Sequence, residues 1–183
     1  VSRSGFALFE TAIGRCGLAW GPDGLAGVQL PEASVAVTIA RLWRRFPGRE
    51  TATPPPDAAD AIARITAFLA GAADDLRDLE LDLTGVGAFD RAVYAAARAI
   101  PAGTTITYGT LAAGLGDPAQ ARAVGQALAR NPWPIIVPCH RITAAEGRTG
   151  GFSAPGGTAT KLKLLEIEGA LRVETLPLFG PQA

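Results

Sequence analysis

The stretch Asn131-Pro132-Trp133-Pro134-Ile135-Ile136-Val137-Pro138-Cys139-His140-Arg141-Ile142 concentrates the reactive side chains of this sequence. Cys139 stands directly before the chain's one histidine, His140, and Arg141 follows. The thiolate is the nucleophilic form of cysteine, and nearby cations or hydrogen-bond donors raise its population. A tuned thiol is therefore expected. Prolines frame a β-branched run before it, which predicts an extended, stiff backbone around Cys139. Adjacent residues on an extended chain point to opposite sides. Direct Cys–His contact is thus not expected, and proton transfer would need a water between them or a sharp turn at the pair. An inert buried cysteine beside a packed histidine is the alternative these residues leave open. Cys16 lies among small residues in a strand-like run and reads as a buried structural thiol.

A second set of side chains precedes this stretch. A helix predicted from Ala119 to about Arg130 carries Ala121, Val124 and Leu128 on one apolar face. Arg122, Gln126 and Arg130 recur at i, i+4 and i+8 on another face. Alanines and Gly125 keep this helix slim enough to approach another backbone closely. A solvated surface helix and a nucleic-acid contact both fit that pattern.

The elements that must position these groups can be read on either side. Phe6 to Leu30 alternates apolar with small or polar residues around Gly21-Pro22-Asp23-Gly24, which predicts two or three strands joined at a tight turn. Val35, Ile39, Leu42 and Phe46 predict a helix over 34–46. Thr51 to Pro56 reads as an exposed connection. Asp57 or Asp60 is then expected to cap a helix with Ile62, Ile65, Phe68 and Leu69 on one face. The strict alternation Leu79-Glu80-Leu81-Asp82-Leu83 predicts a strand. Phe89 to Ile100 keeps a helical period. A short helix follows from Thr107 to Leu115 and stops at Gly116-Asp117-Pro118, so with the Ala119 helix it has helix-turn-helix proportions. The reading is an α/β (α+β) chain of two domains. Residues 1–86 form a small antiparallel sheet with helices, 87–171 a mainly helical domain containing the helix-turn-helix, and 172–183 a tail.

Composition bounds the function. The 183 residues are 48% hydrophobic and 19% charged, enough for a core and too apolar for disorder. Seventeen Lys and Arg balance seventeen Asp and Glu, which excludes a strongly basic nucleic-acid coat and an acidic tail protein. The balance hides an asymmetry: residues 1–86 hold eight Arg and no Lys against eleven acids, and 87–170 hold six Arg and two Lys against five. Two distant cysteines exclude a disulfide scaffold, and a single histidine leaves any four-ligand zinc site dependent on carboxylates. Val1-Ser2-Arg3-Ser4 leads into no apolar leader, and no run approaches the ~18 apolar residues of a membrane span. A soluble, cytoplasmic protein without membrane contact is expected.

Pro138-Cys139-His140-Arg141, preceded by Asn131-Pro132, resembles the signature of the O6-alkylguanine-DNA alkyltransferases, the methylated-DNA–protein-cysteine methyltransferases. The similarity runs from Phe89 to about Gly169 and includes Tyr108-Gly109-x-Leu111-Ala112, Ala121-Arg122-Ala123-Val124-Gly125, Gly151-Phe152-Ser153 and Leu164-Leu165-x-x-Glu168-Gly169. The resemblance implies direct-reversal DNA repair, a single irreversible transfer of the alkyl group of O6-alkylguanine to Cys139, with O4-alkylthymine a further candidate substrate. It implies that His140 takes the thiol proton through a water, that Glu168 orients His140, and that Tyr108 protonates the departing base. Asn131 would hold the segment leading to Cys139. Trp133, Pro134, Arg141, Ile142, Phe152, Ser153 and Lys161 would form the substrate pocket, with Ser153 and Lys161 placing the leaving oxygen. The DNA side would be carried by Thr107, Ala121, Gly125, Gln126 and Arg130, with Arg122 filling the stack vacated by a flipped nucleotide. The partner implied is double-stranded DNA met through its minor groove, by a protein monomeric in solution.

The resemblance implies no cofactor and, with Cys16 and one histidine, no zinc site of the kind some relatives carry in the front domain. Phe152 stands where many members have tyrosine, and the Ser153–Thr158 loop is longer than in some. Two other readings share the same residues: a lesion-recognition protein that does not transfer, and a thiol hydrolase built on Cys139, His140 and Glu168.

Overall fold

The computed structural model describes residues 4–145 and 150–170. The alternating front segment forms three antiparallel strands in the order β1-β2-β3: β1 (Gly5–Thr11), β2 (Gly14–Gly21) and β3 (Gly24–Gln29). Gly24 at φ 123° allows the expected turn at Pro22-Asp23. As the central strand, β2 is covered on both faces. Cys16, Leu18 and Trp20 enter the main core, while Ala19 packs with Phe6, Leu42 and Phe46 on the other side. Gly17 shares that second side, and a Cβ there would sit 2.6 Å from Leu42 Cδ1. The helix responsible is α1 (Val35–Arg45), which Ser34 caps by accepting the Val37 N–H at 3.3 Å.

Two expectations for the front half are corrected. Helix α2 (Pro56–Leu69) starts at Pro56, with Pro55 rather than Asp57 or Asp60 at its cap position. A proline in the first turn loses no hydrogen bond, because the first four N–H groups have no intrahelical partner. The connection before it is not free either: Phe6 N donates to Glu50 O, and Ala52 N to Phe6 O. The second correction is at Leu79–Leu83, which is not a strand and makes a single bridge, Leu81 to Leu25. The edge of β3 is shared. Leu25 exchanges hydrogen bonds with Glu80 and Asp82, but Val28 donates instead to Pro132 O at 2.8 Å.

The rear half contains α3 (Ala88–Arg98), α4 (Tyr108–Gly114), α5 (Ala121–Ala129) and α6 (Gly157–Ile167). Two short parallel strands absent from the sequence reading, β4 (Ile106–Thr107) and β5 (Ile142–Thr143), tie the start of α4 to the chain just after Cys139. Val124, Ala127 and Leu128 of α5 are buried, and Arg122 and Gln126 are exposed. Tyr94 on α3 donates to Ala127 O at 3.0 Å and meets the Trp133 ring edge-on, with centroids 5.9 Å apart. One main hydrophobic cluster runs from β2 and β3 through α2, α3 and α5 to the Cys139 segment. Among the described residues no helix is long and apolar enough to cross a membrane.

Candidate active site

The chain from Asn131 to Arg141 is folded back on itself. Val137 N donates to Trp133 O at 2.8 Å, Ile135 adopts φ 80°, and Cys139–Arg141 form a turn of 3₁₀ helix. The expected extended backbone is therefore corrected to a tight reversal followed by a sharp turn at the Cys–His pair. Asn131 organises it. Its Oδ1 accepts from Trp133 N at 2.9 Å, and its Nδ2 donates to Val137 O at 2.9 Å and reaches Cys139 Sγ at 3.5 Å. A β-branched residue at positive φ is strained by about 1–2 kcal/mol, so this loop must be held from outside. The front half does so. Trp133 Nε1 donates to Leu25 O at 2.6 Å, and Pro132 O accepts from Val28 N and from Arg45 Nη2 at 3.2 Å.

Cys139 is nearly buried, and burial pushes its thiol above the usual cysteine range. The Asn131 hydrogen bond, the Lys161 charge and backbone N–H groups oppose that rise without cancelling it. The tuned, ionised thiol expected from neighbouring cations is thus corrected. At rest the group is a neutral thiol, because desolvation outweighs those charges. A base must take its proton before it can act.

The next residue in the chain belongs to a buried cluster able to act as a base. His140 is fully buried, and its Nε2 lies 2.7 Å from Glu168 Oε1. Arg141, also buried, forks onto the same carboxylate, its Nε at 3.1 and 3.0 Å and Nη2 at 2.8 Å, and spends its Nη1 on Ile100 O at 2.6 Å. Gly103 N donates to Glu168 Oε2 at 3.2 Å. Burial would raise the Glu168 carboxyl, but hydrogen bonds from His140 and Arg141 prevail and hold it at about 2. Glu168 is therefore a carboxylate and accepts the Nε2 proton. Burial lowers the His140 pKa, so the ring is neutral and its Nδ1 carries the free lone pair. That Nδ1 is buried with no hydrogen-bond partner among the described residues.

The two shifts have a consequence for stability. Both folded-state pKa values lie below their unfolded values of 6.5 and 4.5, so the unfolded chain binds more protons on acidification. The stabilisation is complete above pH 6.5, falls first as unfolded histidine protonates, and falls again between about pH 4.5 and 2. The carboxylate step is worth on the order of 3 kcal/mol. Urea unfolding at pH 7, 5 and 3 is expected to show this two-stage loss, and Glu168→Gln to remove the lower stage.

Cys139 opens into a cavity of about 290 Å³ walled by Tyr108, Gly125, Leu128, Gly151, Phe152 and Ser153. Tyr108 donates to Gly151 O at 3.3 Å, and burial keeps its hydroxyl protonated. Lys161 Nζ donates to Ile142 O at 2.6 Å and lies 5.9 Å from the Tyr108 ring centre. On the other side of Tyr108, α4 and α5 flank a wider recess of about 630 Å³ lined by Thr107, Ala121, Arg122, Gly125 and Gln126. Thr107 also caps α4, its Oγ1 accepting the Thr110 N–H at 3.0 Å.

Not every expected site residue meets there. Trp133, Arg141, Ile142 and Lys161 are buried and do not line this cavity. Pro134 and Arg130 face a second opening at Cys139, and Arg130 is also paired with Asp90 through two bonds at 3.0 and 2.8 Å. The pairing of Arg141 with Glu168 was missed in sequence. Its signal is a guanidinium set in an otherwise apolar run, which requires a buried anion.

The family model described as "6-O-methylguanine DNA methyltransferase, DNA binding domain" matches residues 88–170. The methylated-DNA–protein-cysteine methyltransferase of Mycobacterium bovis is 40% identical over 161 residues, 87% of this chain and 93% of that one. A Thermus thermophilus protein named as a DNA base-flipping protein is 41% identical over 121 residues, 63% of this chain and 80% of its own length. Among solved structures, that of Mycobacterium tuberculosis OGT in complex with DNA aligns with a TM-score of 0.71 at 34% identity, covering 90% of this chain and 92% of that one.

Proposed function

Because this chain belongs to the methylated-DNA–protein-cysteine methyltransferase family, an enzyme family of DNA repair by alkyl transfer, we propose that it moves one alkyl group from O6-alkylguanine in duplex DNA to Cys139 and stops. The observation that carries this reading is the Cys139 thiol at the floor of a base-sized cavity, backed by the buried His140–Glu168–Arg141 cluster. Cys139 and His140 share one sharp turn, and the unpartnered imidazole Nδ1 would receive the thiol proton through one water. The sulfur then attacks the alkyl carbon in line. The C–O6 bond breaks with its electron pair moving to the base, and Tyr108, kept protonated, supplies the proton that lets guanine leave neutral. A thioether is not hydrolysed, so the protein is consumed. O4-alkylthymine presents the same alkyl–oxygen bond and is included in the reading.

Residues 87–171 would carry the reaction and the DNA contact, residues 1–86 would brace the reactive loop, and 172–183 form a tail outside the described residues. The helices α4 and α5 act as a helix-turn-helix whose slim second helix enters the minor groove. Gln126 and Ala121 would line that contact, with Gly125 beside the base. The protein would work as a cytoplasmic monomer.

Intact mass after incubation with duplex DNA holding one O6-methylguanine tests this. One methylene unit gained on the Cys139 peptide, ending at one per chain, is the expected result. Continued turnover would indicate a hydrolase, and bound DNA with unchanged mass a recognition protein. Arg122 is exposed on the recess and is assigned to the vacated base stack. Arg122→Ala is expected to slow transfer from duplex about tenfold or more while sparing free O6-benzylguanine, since only the duplex requires flipping. Equal loss on both substrates would remove Arg122 from that role.

A further inference from the structure

Cys139 borders two cavities. Besides the one beside Tyr108, a second of about 250 Å³ shares the walls Leu128, Ala129 and Ser153 and runs away from Tyr108 toward the front half. Its far wall is cationic: Arg41, Arg44 and Arg45 of α1 and Arg130 after α5 all line it. Two of the four are matched by acids, Arg41 by Glu32 at 3.0 Å and Arg130 by Asp90. Arg45 is half-buried, and among the described residues its hydrogen bonds go only to neutral acceptors, Val28 O, Gln29 Oε1 and Pro132 O. Burial and Arg41 work against its charge, and Glu32 favours it less strongly. Arg44 is exposed at the rim. An enclosed positive excess with one side opening on the nucleophile is suited to an anion joined to the reacting carbon.

We propose that this second cavity receives the carboxylate end of an O6-carboxyalkyl substituent, so that anionic alkyl lesions are favoured over neutral ones of equal size. The proposal rests on the alkyl-transfer reading. In an in-line displacement sulfur and O6 lie on opposite sides of the carbon, and the rest of the substituent projects sideways, beside Sγ. With the base against Tyr108, that direction leads into the arginine-lined space. The S–C bond forms and the C–O6 bond breaks as before. The thiol proton leaves through His140, guanine is protonated by Tyr108, and Cys139 ends as a carboxyalkyl thioether.

The test uses the full chain and two free bases of matched size, O6-carboxymethylguanine and its neutral amide O6-carbamoylmethylguanine, with transfer rates read by intact mass. The rate ratio of acid to amide is expected to fall about tenfold in Arg44→Glu, the order of a lost charge pair, to fall likewise in Arg45→Gln, and to persist largely in Arg44→Lys. Transfer from the amide shows that each variant is folded. A ratio unmoved by both substitutions overturns the proposal, and so does an unmoved ratio accompanied by weaker duplex binding, which would assign these arginines to DNA phosphates. No transfer from either base or from alkylated duplex by the unaltered protein would instead defeat the alkyl-transfer reading itself.

Discussion

Glu168→Gln slows alkylation of Cys139 by roughly a hundredfold or more, the scale of a lost general base. The effect passes through His140. The carboxylate accepts the Nε2 proton at 2.7 Å and so assigns Nδ1 as the basic atom. On the proposed relay it would also stabilise the imidazolium formed when His140 takes the thiol proton. A neutral amide keeps the volume and one acceptor but supplies no charge, so protonated His140 is disfavoured and the buried thiol stays neutral to higher pH. The measurement is the rate of transfer from free O6-benzylguanine between pH 6 and 10. The variant's profile should be displaced to higher pH, converging on the unaltered protein where hydroxide ionises the thiol directly. A structural defect alone would lower the rate without moving the profile. An unmoved profile at unchanged rate would take Glu168 out of the relay.

Arg141→Leu destabilises the folded protein by about 3–5 kcal/mol, the cost of stranding one partner of a buried pair. The substitution leaves the Glu168 carboxylate buried with His140 and Gly103 alone, and it deprives Ile100 O of its donor at 2.6 Å. For a chain of this length that loss lowers Tm by roughly 10 °C or more. Arg141→Lys retains the charge but cannot fork onto both carboxylate oxygens while reaching Ile100 O, so it recovers only part of the loss. Adding Glu168→Gln to Arg141→Leu removes the stranded charge and should restore some of the Tm. A Tm within about 2 °C of the unaltered protein for Arg141→Leu would show that water reaches Glu168 in place of the guanidinium.

Where a residue's job is local, this sequence was informative by itself. The helix over 34–46, the Pro22-Asp23 turn and the two faces of α5 all depend on neighbours within a few positions, and they stand as read. The resemblance around Cys139 also supplied the reaction. Alternation misled at Leu79–Leu83, because whether such a segment pairs depends on a free strand edge. Here Pro132 had taken part of it. Prolines misled around Cys139, because their φ preference does not anticipate a loop stapled by the Asn131 side chain and held by Leu25, Val28 and Arg45 from the opposite half of the chain. The ionisation of the site likewise lay beyond the sequence. Cations beside a cysteine predict a lowered pKa, but desolvation scales with burial, and burial is decided only when α5, α6 and the sheet close around the thiol. The sequence by itself picked out Cys139 as the candidate nucleophile and His140 as its neighbour. Tertiary structure decided that the thiol waits neutral, that the His140 Nδ1 is left without a partner among the described residues, and that an arginine two residues from Cys139 serves the Glu168 carboxylate, since charge and solvent access are properties of the packed whole.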